Sequence, residues 1–228
     1  MLVVSTPLAP RQKGQRLLTT FRRALAALAS GSLLKVGVLY APAPCLQDCI
    51  AKGQAHSVDP SLEPSDLQIG TKTYQVSRMT LHTPPELIWR VLTDYDNATR
   101  VFVNLKQCKV LEDKGTTKII FHKVKPSLIP TAFEYVLEVK ETAPRRLEWR
   151  RLRGDFKEVD GYWSLEPLEG GKSTLVSYCA RVDGGFFIPQ GLIRKNVRTD
   201  MPIAMACLKS EVENKTQIAR GPTGQPPQ

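Results

Sequence analysis

The sequence predicts an α+β domain in which a curved antiparallel sheet of about seven strands wraps around one long C-terminal helix. Two observations predict this architecture. Between residues 71 and 183, short runs of alternating apolar and polar residues are separated by turns rich in Gly, Pro and Asp, as in antiparallel strands. From Gln190 to about Ala219, apolar residues instead recur every three or four positions, as on one face of a helix.

The first predicted strand, Thr73–Leu81, precedes a helix start pattern. Thr83 is a good N-cap residue and Glu86 follows three positions later, so the pattern predicts a capping box. We expect this helix to end before Asp94–Asn97, and a second short helical turn to follow at Ala98–Val103.

The other strands are predicted from their period of two. They are Lys106–Glu112, Lys118–Val124, Thr131–Lys140, Arg146–Arg153, Phe156–Pro167 and Ser173–Asp183. Gly115 supplies a positive φ in the first of the intervening turns, and Glu169–Lys172 is a strong hairpin pattern. Pro202 is expected to kink the C-terminal helix or to mark the point where it restarts.

A sheet with one apolar face must cover it, and only the C-terminal helix is long enough to do so. Because a helix cannot fill a concave sheet along its whole length, we expect an apolar cavity, the usual form of a small-molecule site. The alternation turns aromatic residues toward this side, where most belong to the core and some border the cavity. The candidate cavity residues are Phe133, Tyr135, Trp149, Trp163, Tyr178, Phe187, Met201 and Met205.

Residues 1–43 are interpreted as a targeting or membrane-contact segment. No acidic residue precedes Asp48, and a basic stretch leads into the uncharged run Ala24–Leu34. The segment fits an export signal, with Ala41–Ala43 resembling a cleavage site, and it also fits an organellar transit peptide. An amphipathic helix on an anionic membrane and a disordered arm are the alternatives. The expected localisation is therefore membrane-associated or exported, with a cytoplasmic location as the alternative.

The remaining boundaries follow from composition. Residues 44–70 are predicted to be a linker, residues 71–220 the folded domain, and residues 221–228 a disordered tail. Cys45 and Cys49 have no second pair of ligand residues nearby, so no metal site is predicted there. If the segment is exported, these two cysteines could instead form a disulfide.

The net charge of +10 does not indicate nucleic-acid binding. Half of it lies in the first 60 residues, and no aromatic stacking platform is interleaved with the basic residues of the body. The densest basic run of the body lies in residues 145–153. It is either a solvated sheet face or a contact for an anionic membrane surface through Arg146, Arg150 and Arg151.

No catalytic pattern is evident, and no cofactor is expected. The histidines of the chain are His56, His82 and His122. His122 is interpreted as a strand residue that faces solvent or a hydrogen-bond partner. Asp94 and Asp96 are interpreted as residues that end a helix and form a turn.

Several short stretches, in the same order over more than 130 residues, resemble the START-like (SRPBCC) helix-grip superfamily. Within it, the chain is similar to the coenzyme Q-binding and polyketide cyclase/dehydrase branch. The stretches are Pro84–Asp96, Asn104–Leu105, Val110–Glu112, Gly161–Pro167, Thr174–Tyr178 and Phe187–Pro189. Where the family usually has a proline before Asn104, this chain has Val103.

The resemblance implies the helix-grip (START/Bet v 1-like) fold, a hydrophobic cavity and a lipid-like or polycyclic ligand. It does not imply catalysis, because the superfamily contains both binders and enzymes. The predicted function is non-catalytic binding or transfer of a hydrophobic small molecule, such as a lipid, a quinone or an isoprenoid-like compound. Two alternatives remain: a polyketide cyclase/dehydratase-type enzyme, which needs a buried ionisable group with a shifted pKa, and a protein-interaction module with a filled cavity.

Overall fold

The computed structural model describes residues 62–186 and 188–220. Within these ranges the strands are β1 Ser65–Ile69, β2 Lys72–Leu81, β3 Leu105–Asp113, β4 Thr117–Val124, β5 Phe133–Thr142, β6 Arg146–Gly154, β7 Glu158–Leu168 and β8 Ser173–Asp183. The helices are α1 Pro85–Leu92, α2 Ala98–Val101 and α3 Gln190–Arg220. The predicted segment 1–43, the two cysteines after it, the tail 221–228 and Phe187 lie outside the described residues.

The strands form one curved antiparallel sheet in the order β1-β2-β8-β7-β6-β5-β4-β3. Strands β3 to β8 form a meander of successive hairpins, because each pairs with the next along the chain. The non-consecutive pair β2 and β8 places Gln75 opposite Ala180 and so brings the two ends of the domain together. With α3 covering the concave face, this arrangement confirms the predicted α+β helix-grip fold.

An eighth strand, β1, lies in the range predicted to be a linker. Ser65–Ile69 pairs with β2 across a tight turn, in which Gly70 has a φ of +59°. Most of the β1 side chains are exposed, so the segment lacks the apolar alternation that predicts a strand. The start of the sheet therefore precedes the predicted boundary at residue 71.

The predicted capping box does not form. Pro84 occupies the N-cap position of α1, and no side chain caps the helix. Thr83 is instead buried, and its carbonyl oxygen accepts a hydrogen bond of 2.7 Å from Thr174 Oγ1 on β8. This tertiary contact holds the chain in place before the helix, and Pro85 is the first helical residue, a position where its missing N–H costs nothing. The two short helices lie where the sequence predicts them.

Helix α3 packs against β2, β8 and α1. Met205, Leu208 and Val212 are buried along its inner side. Pro202 is also buried, and the helix runs through it without a restart. Among the described helices, none is long and apolar enough to cross a membrane.

Candidate functional site

A cavity of about 270 Å³ lies between the concave face of the sheet and α3. Inward-facing side chains of β3 to β8 form one wall, and α3 forms the other. The position of α3 explains why a cavity remains. The α3 backbone packs most closely on β2, β8 and α1, so side chains alone span the gap to the middle strands of the sheet. The alternative of a filled cavity is therefore wrong.

The structure places most of the candidate cavity residues in this wall. Those that line the cavity are Tyr135, Trp149, Trp163, Tyr178 and Met201. Phe133 does not line it, because its ring is buried against the Phe156 ring with 4.6 Å between the ring centroids. Met205 is fully buried in the core. Alternation identified the correct face for both residues but could not separate the packed part of that face from the open part.

Stacked aromatic rings form the flattest part of the wall. The Trp163 and Tyr178 rings lie 4.1 Å apart with an interplanar angle of 9°, because the two residues are directly paired on β7 and β8. The Trp149 ring lies 6.0 Å from Tyr178. Gly161 lies opposite Trp149 in the register, and a Cβ atom there would come within 2.6 Å of Trp149 Cζ2. The glycine therefore makes room for this indole.

His122 lines the cavity, so its interpretation as a residue facing solvent or a hydrogen-bond partner was wrong. It is paired with Tyr135 across β4 and β5, and their rings meet edge to face at 5.7 Å. The sequence did contain a signal for this position, because His122 alternates in phase with Ile120 and Val124, which also line the cavity. No hydrogen bond joins its imidazole to another residue in the described ranges.

Three buried groups of the wall, His122, Tyr135 and Tyr178, have pKa values shifted toward their neutral forms. Burial lowers the pKa of the His122 imidazole to about 4. It also raises the pKa of the phenols of Tyr135 and Tyr178 well above the usual range, with the negative charge of Asp200 adding to the effect on Tyr178. All three groups are therefore neutral near pH 7.

Two polar residues of α3, Asn196 and Asp200, hold the loop between β4 and β5. The Leu128 N–H donates to Asn196 Oδ1 at 2.8 Å, and the Ser127 N–H donates to Asp200 Oδ2 at 3.3 Å. Asn196 Nδ2 also donates to Asp200 Oδ2 at 2.6 Å. Both residues line the cavity, and sequence reasoning missed them. The available signal was their helical spacing with the apolar residue Ile193.

The arginines predicted to contact a membrane or an anion lie outside the cavity wall. Arg146 Nε donates to Glu148 Oε1 at 2.7 Å, and Arg150 pairs with Glu138. Arg151 Nε donates to the Lys157 carbonyl oxygen at 2.9 Å. These local partners compensate part of the charge, and exposed pairs of this kind are weak. A membrane contact through these arginines stays a prediction.

The other titratable candidates have structural roles. Asp94 accepts two hydrogen bonds from Asn97 Nδ2, at 2.9 and 3.0 Å, which confirms it as a turn former. His82 lies outside the cavity and its Nδ1 is 3.2 Å from Ser173 Oγ. Across residues 62–186 and 188–220, no group of three or more His, Cys, Asp or Glu side chains could hold a metal ion.

The fold and the cavity define a helix-grip domain with an apolar cavity between its sheet and its C-terminal helix. Residues 81–208, more than half of the chain, match the profile of the family described as "Polyketide cyclase / dehydrase and lipid transport". The chain belongs to this family. No curated protein matches the chain significantly.

Solved structures show the same fold. The Zhui aromatase/cyclase from a Streptomyces species is 15% identical with a TM-score of 0.59, and the match covers 65% of this chain and 98% of that one. A START superfamily protein from Mycobacterium smegmatis is 18% identical with a TM-score of 0.55, covering 62% and 98%. A fragment of the STAR-related lipid transfer protein from Xanthomonas axonopodis is 13% identical with a TM-score of 0.53, covering 66% and 99%. Identities this low establish the fold alone.

Proposed function

We propose that this domain binds a hydrophobic small molecule in the cavity and carries it without changing it chemically. A lipid, a quinone or an isoprenoid-like compound fits this role. The observation that carries the proposal is the cavity of about 270 Å³ between sheet and helix, walled mainly by aromatic and aliphatic side chains. Each 100 Å² of apolar ligand surface buried there would contribute about 2.5 kcal/mol to binding.

The buried ionisable groups that the enzyme alternative requires are present, but the direction of the pKa shifts at His122, Tyr135 and Tyr178 favours binding over acid–base catalysis. Proton transfer is most efficient when the pKa of the catalytic group lies near the working pH. The pKa of His122 lies near 4, and burial raises those of the Tyr135 and Tyr178 phenols. Near neutral pH, the imidazole is therefore a weak base and the phenols are weak acids. These groups can hydrogen-bond a ligand oxygen more readily than they can exchange protons with it.

We also propose that the protein works at an anionic membrane surface, either membrane-associated or exported. Support comes from exposed apolar side chains near the start of α3. Phe186 is 97% exposed in the loop before the helix, Leu192 is 37% exposed in its first turn, and Leu128 is 41% exposed in the β4–β5 loop. The Leu128 N–H contacts Asn196, one turn beyond Leu192. Arg194 and Lys195 add positive charge to the same part of α3.

A cavity-filling variant tests the proposed function. Ala204 lines the cavity from α3, and the Ala204→Phe substitution would occupy part of the space. Ala206 lies two residues further along and is exposed, so Ala206→Phe is the matched control. The full-length protein is analysed by native mass spectrometry and by organic extraction, and it is then titrated with an apolar fluorescent probe, 1-anilinonaphthalene-8-sulfonate.

We expect the wild-type protein and Ala206→Phe to retain a co-purified apolar molecule or to bind the probe. Ala204→Phe should lose most of this binding while keeping a cooperative thermal transition. If the wild-type protein carries no apolar molecule, and if all three proteins bind the probe equally, the cavity is not a binding site and the proposal fails.

A further inference from the structure

We infer that the ligand of the cavity carries a neutral carbonyl oxygen and that the His122 imidazole recognises this oxygen by donating a hydrogen bond to it. This inference rests on the proposed function and specifies the chemistry of the ligand. Its basis is the imidazole itself, a polar ring in the cavity wall to which no described residue is hydrogen-bonded.

The imidazole of His122 reaches the cavity. Strand β4 lies between β3 and β5, where His122 is paired with Cys108 on one side and with Tyr135 on the other. All three side chains line the cavity, so they share the concave face of the sheet. His122 is partly accessible although it lies deep enough for burial to lower its pKa. Its accessible surface therefore belongs to the cavity.

Both ring nitrogens of His122 are available to a ligand. Within residues 62–186 and 188–220, the buried polar side-chain atom without a partner is Asp200 Oδ1. The His122 nitrogens also lack a partner there, so they are not sealed off from the cavity in the same way. A neutral imidazole has one N–H donor. When a ligand displaces water from the cavity, this N–H loses a hydrogen bond unless the ligand supplies an acceptor.

The groups beside His122 also favour an acceptor on the ligand. Burial raises the pKa of the Tyr135 phenol and of the Cys108 thiol, so both groups keep their protons near pH 7. This part of the wall therefore presents N–H, O–H and S–H donors together. A carbonyl oxygen has two lone pairs and no hydrogen of its own, so it can accept from this wall without adding another donor.

The charges around the cavity favour a neutral ligand oxygen. Neither lysine nor arginine belongs to the lining in the described part of the chain, whereas the acidic residue Asp200 does. A carboxylate ligand would lose its hydration here without gaining a cationic partner, because the His122 imidazole, with its pKa near 4, is uncharged at pH 7. A ketone, an ester or another neutral carbonyl compound requires a much smaller desolvation energy.

Two histidine variants separate this contact from a general effect of the substitution. His122→Phe keeps a flat ring in the wall and removes the N–H donor. His82→Phe is the matched control, because His82 is exposed and lies outside the cavity. Each full-length protein is titrated by equilibrium dialysis at pH 7 with two neutral probes of the same shape. 2-Acetylnaphthalene carries a carbonyl oxygen, whereas 2-isopropenylnaphthalene has a CH₂ group in its place and cannot accept a hydrogen bond.

We expect His122→Phe to weaken the binding of the ketone by about 5- to 50-fold relative to the alkene, as for a hydrogen bond lost from a buried group. The ratio of the two dissociation constants should be the same in His82→Phe and in the wild-type protein. A third probe, the anion 2-naphthoate, should bind the wild-type protein at least about 10-fold more weakly than the ketone.

The outcomes separate this inference from the function on which it rests. An unchanged ratio in His122→Phe would overturn the role of His122, and 2-naphthoate binding as tight as that of the ketone would overturn the neutral carbonyl group. Either result would leave the cavity as a binding site. If no probe binds the wild-type protein and no apolar molecule co-purifies with it, both proposals fail.

A measurement on the wild-type protein keeps the test decisive even if His122→Phe does not fold. The protein is labelled with ¹⁵N-histidine, and variants that lack His56 or His82 assign the remaining imidazole signal to His122. The ketone should shift the nuclear magnetic resonance signal of the His122 N–H further than the alkene does. Equal shifts with the two probes would overturn the inference.

Discussion

His122 should make the stability of the domain depend on pH below neutrality. Its imidazole has a pKa near 6.5 in the unfolded chain. Its burial in the cavity wall lowers the pKa to about 4 in the folded protein. As the pH falls, the unfolded state therefore takes up a proton first. The stability contribution is fully present above about pH 6.5 and is lost as the pH falls toward the folded pKa.

The size of the effect follows from the two pKa values. The difference between about 6.5 and about 4 corresponds to about 3 kcal/mol of unfolding free energy when the pH is below both values. Between pH 7 and pH 4.5, about 2 kcal/mol of this should already be lost. Carboxylates elsewhere titrate in the same window, so the His122 contribution must be isolated by a difference between two proteins.

The His122→Gln variant provides that difference, because glutamine is polar and does not titrate. Urea unfolding followed by tryptophan fluorescence gives the unfolding free energy at each pH. We expect wild-type stability to fall about 2 kcal/mol further than that of His122→Gln between pH 7 and pH 4.5. Parallel pH profiles for the two proteins would refute the burial of the His122 imidazole in the cavity wall.

Two further substitutions test the packing around the cavity. Gly161→Ala should lower the unfolding free energy by about 3 kcal/mol or more, because the added Cβ atom would lie 2.2 Å from the Cys179 carbonyl oxygen and 2.6 Å from Trp149. Gly191→Ala is the matched control, because nothing lies within 4 Å of its added Cβ atom. Both variants are compared with the wild-type protein by thermal unfolding, and an equal loss of stability in the two would contradict this account. Tyr95→Phe removes the 2.6 Å hydrogen bond from the Tyr95 hydroxyl to Glu141 Oε1, so it should lower the unfolding free energy by about 1–2 kcal/mol. Urea unfolding measures this difference, and an unchanged unfolding free energy would show that the hydrogen bond does not stabilise the domain.

The sheet could be predicted wherever its strands have one buried face. In β5, apolar residues such as Val139 alternate with polar ones, and the burial of Val139 matches that alternation. Strand β1 could not be found in this way, because its side chains are mostly exposed and only its backbone pairing with β2 defines it. Period-two reasoning therefore detects strands with one buried face, and it misses a strand such as β1 whose side chains are mostly exposed.

The candidate site was only partly predictable, because alternation identifies the inward face of a strand but not which of its side chains border the cavity. Alternation assigns Tyr135, Trp163 and Phe133 to one face, yet Phe133 is covered by another aromatic ring, Phe156, and the first two border the cavity. Asp200 is a polar residue in a helix, which is common on exposed faces, and only the tertiary structure places it in the cavity lining.

The chain by itself determined the order of the elements, the inward faces of the long strands and the need for the C-terminal helix to cover them. These features depend on residue periodicity, which is local. The tertiary structure decided where the helix lies across the sheet, and hence that a cavity remains and which polar atoms face it. Those features depend on distances between residues that are far apart in sequence, such as Ser127 and Asp200. The local pattern of apolar and polar residues does not encode such distances.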